Sequence, residues 1–298
     1  VEILNHGYRV ISKKNPLKNL LLIVEIKGES VIEIINSLNV VFLGVGKDIK
    51  LDILFFYKSF NIKKIKQLER LLRNKSNIEF IKLKNCGICK YIGNELTHID
   101  IDFMMFWDLS IIDIATERDD ESFWIKELAS SLKEKNAVAA APKIITKKHR
   151  VFFSGIYIGF RNIPQSINFN QHSSNNGYFG RANLIQEFSL LSKMVILVKT
   201  KNFLEVFNKF QKTKDNIGFY RIMRILKENN YRFIYNPFSV LVSNKNYLQR
   251  KLFKIKFAFE SLGFFKINNK ESSKEIFKDP FINKNIILLN SKEYLEKK

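Results

Sequence analysis

The hydrophobic pattern changes period repeatedly along this chain. Residues 19–26, NLLLIVEI, form an apolar run of the kind that a strand covered on both faces requires. The next stretch, GESVIEIINSL, has a helical period: Ile32, Ile35 and Leu38 recur at turn spacing, and Ser30 and Glu33 stand at capping-box spacing. LDILFFY (51–57) is a second buried-strand pattern. Asn61 can then cap a helix whose inner face is Ile62, Ile65, Leu68 and Leu72. IEFIKL (78–83) is a third strand. Strand, helix, strand, helix, strand at short spacing predicts an α/β layer with a parallel sheet.

The second half continues in the same style. IDFMMFW is a fourth apolar strand that ends at Asp108. A helix from about Ser122 to Lys133 follows, then the strand AVAAAPKI. The Asn/Ser-rich stretch from about Asn162 to Asn176 has the turn residues of a surface loop. SKMVILVKT is a strand, with Thr200 as the expected cap of the helix KNFLEVFNKF. FYRIMRILKENN is an amphipathic helix, and YRFIYNP a final strand stopped by Pro237. From about Asn244 the chain is basic and aromatic, ending in the polar tail NSKEYLEKK. There is no internal repeat.

Composition narrows this picture. A chain of 298 residues, 46% of them hydrophobic, can bury the core of one large domain or two modest ones, and is not disordered. No uncharged apolar run reaches the roughly 18 residues a membrane span needs. The opening VEILNHGYRV has neither an initiator Met nor a leader pattern, so the expectation is a piece of something longer. Two cysteines in such a length suggest a reducing compartment rather than a disulfide scaffold. The formal net charge of +21 points to anionic partners: nucleic acid, an anionic membrane face or a nucleotide diphosphate. Lys, Ile and Asn are abundant throughout, however, as an AT-rich genome would produce, and we ascribe most of the charge to that.

Cys86 and Cys89 lie in KLKNCGICKYIG, a C-x-x-C followed by lysine. A zinc site needs about four ligands, and no second pair exists: His6, His98, His149 and His172 are scattered. A thioredoxin-type dithiol needs its C-x-x-C at the first turn of a helix, but here two complete strand–helix units precede it. A third reading makes Asn85 and Gly87 the meaningful residues and the cysteines filler. Other clusters have plain readings. His98, Asp100 and Asp102 (HIDID) form a polar strand entrance, and ERDDES, from Glu117 to Ser122, with Asp119 and Asp120, an acidic helix start. RKLFKIKFAFESLGFFK mixes cations and aromatics without one clean apolar face, so we read it as a packing helix before a membrane-surface or nucleic-acid segment.

Taken together, FIKLKNCGICKYIGN, DFMMFWDLSII, NNGYFGRANLIQEF and KDPFINKNIILLNSKEY resemble, in order, segments of family 2 glycosyltransferases of GT-A fold, the kind that builds bacterial surface polysaccharide. The resemblance runs from about Leu20 to Tyr294, and GYFGR and DPFINKN are its most distinctive pieces. It implies an α/β/α sandwich with a mostly parallel central sheet, an N-terminal extension over 1–19, a transferase domain over 20–243 and a C-terminal helical extension over 244–298. It implies a nucleotide-sugar donor, a glycan or lipid-linked acceptor, no nucleic acid, further domains of a longer chain, and a cytoplasmic location with peripheral contact at the inner membrane face.

By the same resemblance Lys27, Glu29, Tyr57, Asn85, Gly87 and Lys193 line the nucleotide. Asp108 and Ser110 occupy the metal-binding D-x-D, and Tyr178, Arg181 and Arg221 lie on the acceptor side. The pattern is substituted at each chemical position. Tyr57 stands where the family has Asp after the second strand, and Ser110 where it has the last acid of D-x-D. Gly218 and Phe219 replace an acidic pair, Arg221 a later Asp, and Ser243 a His that can bind metal. The family's Mn2+ or Mg2+ would have Asp108 alone to sit on, and no general base is assigned. Two readings remain. In one, the fold is retained as a scaffold or binding domain with transfer weakened or lost. In the other, Lys193, Arg221 and Lys245 supply fixed positive charge in place of a metal, with Asp108 on donor hydroxyls or paired as base with Asp113, Glu117, Asp119 or Asp120.

Overall fold

The computed structural model describes residues 2–4, 7–9, 17–83, 88–96, 101–115, 123–158, 164–166, 168–177, 182–210 and 219–245. The elements run β1 (Glu2–Leu4), β2 (Gly7–Arg9), β3 (Asn19–Ile26), α1 (Val31–Val45), β4 (Lys50–Tyr57), α2 (Ile62–Leu72), β5 (Asn77–Lys82), α3 (Ile88–Glu95), β6 (Phe103–Trp107) and β7 (Ile111–Ile114). They continue with α4 (Phe123–Ser131), β8 (Ala137–Thr146), β9 (Val151–Phe153), β10 (Ile156–Ile158), β11 (Pro164–Ser166), β12 (Gln186–Phe188), β13 (Val195–Lys199), α5 (Thr200–Phe210), α6 (Phe219–Glu228) and β14 (Arg232–Ser243).

The main sheet has the order β12-β14-β8-β13-β6-β3-β4-β5, with β7 added on β14 and β9 on β8. β3, β4, β5 and β6 are mutually parallel; β13 runs against both β6 and β8; β14 is parallel to β8, and β12 opposes it. Six of the eight strands on this path therefore point one way, and the sheet is mostly parallel. Its central strands are apolar on both faces because helices cover both. Successive side chains of β6 show this. Trp107 donates its indole N–H to Ser37 of α1 (2.9 Å) and stacks near Trp124 of α4. Its neighbour Phe106 faces the other way, against Phe203 of α5 and Phe219 of α6. Gly44 of α1 is required by close packing, since a Cβ there would collide with the Trp124 ring.

The topology fixes where a ligand can enter. From β3 the chain steps outward to β4 and β5, then returns by α3 to place β6 on the other side of β3. The strand order thus reverses between β3 and β6. At such a switch point the loops leave in opposite directions and open a crevice at the carboxyl ends of the strands.

The structure corrects the sequence-based expectations at several points. The buried face of α1 is Val31, Ile34, Leu38, Val41 and Val45, while Ile32 is 72% exposed. Periodicity could not choose the face because this helix is apolar nearly all round. Ile62 is 69% exposed at the first turn of α2, and only Ile65, Leu68 and Leu72 are buried there. Thr200 does not cap α5. It is the first helical residue, its N–H donates to the Asp102 carbonyl, and its buried hydroxyl finds no partner, because β13 runs into α5 without a turn. Pro237 does not end the last strand. The register jumps from Asn236↔Pro142 to Val240↔Lys143, so the proline sits in a bulge where no ladder N–H is needed. The α1 capping box and the Asn61 cap of α2 form as the sequence predicts. The expected C-terminal helical extension lies outside the described residues from 246 onward.

Candidate functional site

Two strand ends flank the switch point. β3 ends in the turn Lys27-Gly28-Glu29. Gly28 adopts φ +142°, a conformation that L side chains rarely take, and the backbone N–H groups of Lys27 and Gly28 both donate to the Glu29 carboxylate (2.6 and 3.0 Å). Glu29 is thereby committed to holding the loop ahead of the Ser30–Glu33 capping box. The Lys27 ammonium lies 3.4 Å from the Glu25 carboxylate. Burial lowers its pKa, but the charges of Glu25 and Asp108 outweigh this and hold the ammonium above its ordinary value.

Asp108 follows β6, and its N–H donates to Met194 O (2.7 Å) just before β13. Both oxygens of the Asp108 carboxylate are bonded: Oδ1 accepts from Ser110 N (2.9 Å), and Oδ2 accepts from Lys245 Nζ (2.8 Å). The two ionised side chains are about one-fifth exposed, at 19% and 20%. Burial raises the Asp108 pKa, but the Lys245 ammonium and the Ser110 hydrogen bonds outweigh that, and the carboxyl is held below its usual range. A second layer fixes this pair. Ser243 Oγ donates to Ser110 Oγ (3.1 Å) and accepts from Lys245 N (3.3 Å), while Asn244 N donates to Ser110 O (2.8 Å). Asp108 and Ser110 thus form one hydrogen-bonded cluster with Ser243 and Lys245 from a distant stretch of the sequence.

A divalent cation does not fit this cluster. Mn2+ or Mg2+ takes oxygen ligands, above all carboxylates. Two of the four side chains are neutral serines, and the one carboxylate is already held by an ammonium and a backbone N–H. Among the described residues, no group of three His, Cys, Asp or Glu is placed to hold a metal ion.

The other expected site residues fall as follows. Tyr57 closes β4 beside Ile26 of β3 and packs against Phe60. Lys193 precedes β13 and faces α3, where its charge acts on Cys89. Arg221 is in the first turn of α6, next to the Phe219 that packs on Phe106. Asn85, Gly87, Tyr178 and Arg181 lie outside the described residues, as do Cys86, His98, Asp100 and Glu117 to Ser122. Cys89 is a free, buried thiol in α3, and burial pushes its pKa up to about 12, opposite to an activated thiolate. His172 is exposed, forms an isolated antiparallel bridge with Arg150, and has its Nδ1 2.7 Å from Ser174 Oγ.

Sequence reasoning missed three features. A cavity of about 620 Å3 lies between α1 and β7, lined by Glu33, Asn36, Leu109, Asp113, Lys147 and Asn244 among others. It adjoins the cluster through Leu109 and Asn244 without including Asp108 or Lys245. Lys143 of β8 is 5% exposed, and its ammonium donates to Ser173 O (2.8 Å). Glu187 of β12 joins Lys227 and Arg232 at the opposite end of β14. No periodicity signals any of these, since each depends on strand pairing.

No protein-family model matches the sequence, and no curated protein is significantly similar to it. Solved structures do resemble it in fold. A mannosyltransferase from Pyrobaculum calidifontis, described in complex with GDP-Man and Mn2+, aligns over 88% of this chain and 65% of its own, with a TM-score of 0.52 and 10% identity. GalNAc-T7, described with UDP, GalNAc and Mn2+, aligns over 77% of this chain and 44% of its own, with a TM-score of 0.54 and 9% identity. The chain therefore spans less than two thirds of either relative. At these identities the likeness establishes the fold, that of GT-A nucleotide-sugar transferases.

Proposed function

We propose that the chain is a glycosyltransferase-like protein that binds a nucleotide-diphospho-sugar in the crevice at the carboxyl ends of β3, β4 and β6. One observation carries this: the strand-order reversal lies between β3 and β6, and the charged residues Lys27 and Asp108 stand at the two strand ends that flank it. The two structural relatives were described with GDP-Man and with UDP, which supports a nucleotide donor of that type. The acceptor we propose is a cell-surface polysaccharide or a lipid-linked glycan, reached from the cytoplasmic side with peripheral membrane contact. Among the described residues no helix is long and apolar enough to cross a membrane.

Transfer is weak or lost in this reading. Inverting transfer needs a carboxylate free to accept the acceptor's proton. Among the described residues Asp108 is engaged by Lys245, and the exposed Asp113 lines the α1/β7 cavity, which includes neither Asp108 nor Lys27. The test is thermal unfolding of the full chain with UDP, GDP, dTDP and their sugar conjugates. A rise in Tm with at least one diphosphate, and slow or no release of free sugar, is expected. No shift with any of them would turn the search toward protein partners and a scaffold role.

A further inference from the structure

The residues at the end of β6 are built around a cation, and that cation is part of the chain. We infer that Lys245, anchored by Asp108, is the resident counter-ion of a metal-independent diphosphate site, with Lys27 as its second positive group. The inference rests on the donor-site reading given above and adds how the diphosphate charge is met.

Three observations lead here. First, the Asp108–Lys245 pair lies beside the switch point, where the sheet's parallel strands direct a ligand. Second, it is over-determined. Ser243 binds Lys245 N and Ser110 Oγ, Ser110 N binds Asp108, and Asn244 N binds Ser110 O, so the backbone on both sides of the pair is fixed before any ligand arrives. A preorganised cation loses little on binding an anion, which is the condition for strong charge stabilisation. Third, the position of a metal is taken: a divalent ion bound to Asp108 would have to displace an ammonium at 2.8 Å. Asp108 is thus a positioning residue for Lys245 and not a metal ligand. Lys27, whose ammonium feels both Glu25 and Asp108, follows β3, the strand paired with β6. A diphosphate has several anionic oxygens, and two ammonium groups suit it better than they suit a single phosphate.

The experiment is calorimetric titration of the full chain with UDP, GDP and dTDP, each in EDTA and again in Mn2+. Wild type should bind at least one nucleotide in EDTA, with Mn2+ changing the affinity less than about twofold. Lys245→Met keeps the stem and removes the charge; it should weaken binding by about tenfold or more, the order expected for losing one charge-assisted hydrogen bond. Lys245→Arg should restore most of it. The double change Ser110→Asp with Lys245→Ser supplies two carboxylates and no ammonium, and its binding should become Mn2+-dependent. It is a second arm should Lys245→Met fold poorly, as circular dichroism would show. Binding by wild type only with Mn2+, or binding in EDTA that Lys245→Met leaves unchanged, overturns the inference while leaving the donor site intact. No binding of any nucleotide by folded wild type overturns the donor site itself, and this inference with it.

Discussion

The two ends of β14 carry two ion clusters of different design. At the Arg232 end, Glu187 is closed from both sides: Lys227 bonds Oε1 (2.6 Å) and Arg232 bonds Oε2 (2.8 Å), while Arg232 also reaches Glu134 (2.9 Å). The Lys227 ammonium lies over the Phe233 ring at 5.4 Å. This cluster joins β12, α6 and β14 and lies away from the switch point. At the Ser243 end, Asp108 holds one ammonium, and the pair lies beside the switch point. Both are partly buried carboxylate–cation contacts of similar length. What separates them is position in the topology: one ties β12, α6 and β14 together away from the switch point, and the other stands where the strand order reverses. Among so many lysines, neither charge nor pairing alone picks out a site.

The comparison can be broken in the middle of the strand, where the effect should be largest. Asn236 donates to Ser131 Oγ (2.8 Å) and Glu127 Oε1 (3.1 Å) and accepts from Phe238 N (3.0 Å), holding the bulge that aims both halves of β14. Asn236→Ala leaves buried polar groups without this partner and should cost about 2–4 kcal/mol in urea unfolding. Next comes Asp108→Asn, expected to cost about 1–3 kcal/mol because Lys245 loses its partly buried counter-charge, and to weaken nucleotide binding as well. Glu187→Gln should cost about 1 kcal/mol, since Arg232, one of its two partners, is 37% exposed, and should leave nucleotide binding unchanged. A loss of binding in Glu187→Gln comparable to that in Asp108→Asn would erase the distinction between the two ends.

Acid titration sharpens it further. Burial raises the Glu187 pKa, but its bonds to Lys227 and Arg232 outweigh that, so this carboxyl, like Asp108, is held below its ordinary value. A depressed carboxyl stabilises the fold above its unfolded pKa, about 3.9 for Asp and 4.3 for Glu, and that stabilisation is lost as the pH falls through the lower folded value. Tm should therefore fall as the pH drops below about 5, and the fall should be shallower in Glu187→Gln. Smallest of all, Cys89→Ala should change stability by about 1 kcal/mol or less and binding not at all, as its buried, protonated thiol acts by packing.

The parallel half from β3 to β6 was legible because its signals are local. NLLLIVEI, the Ser30–Glu33 box and the Asn61 cap each carry their own instruction, and β3, α1 and α2 form where these residues predict. The Ser243 half was less so. Pro237 reads as a stop, yet the chain passes it because Asn236 and Ser239 find partners on α4, a tertiary contact no window of sequence contains. Ser110 and Ser243 read singly as losses of chemistry. Only β14 running parallel to β8, ending opposite β7, shows that they share a hydrogen bond and brace Lys245.

The central claim is that the crevice between β3 and β6 binds a nucleotide diphosphate through the chain's own cations. The most direct test is lysine-selective acetylation read by mass spectrometry, with and without saturating UDP, GDP or dTDP in EDTA. The account predicts that at least one nucleotide protects Lys27 and Lys245 while Lys227 at the far end of β14 is unaffected. Protection of Lys227 without Lys245, or protection of no lysine by any nucleotide, would contradict it.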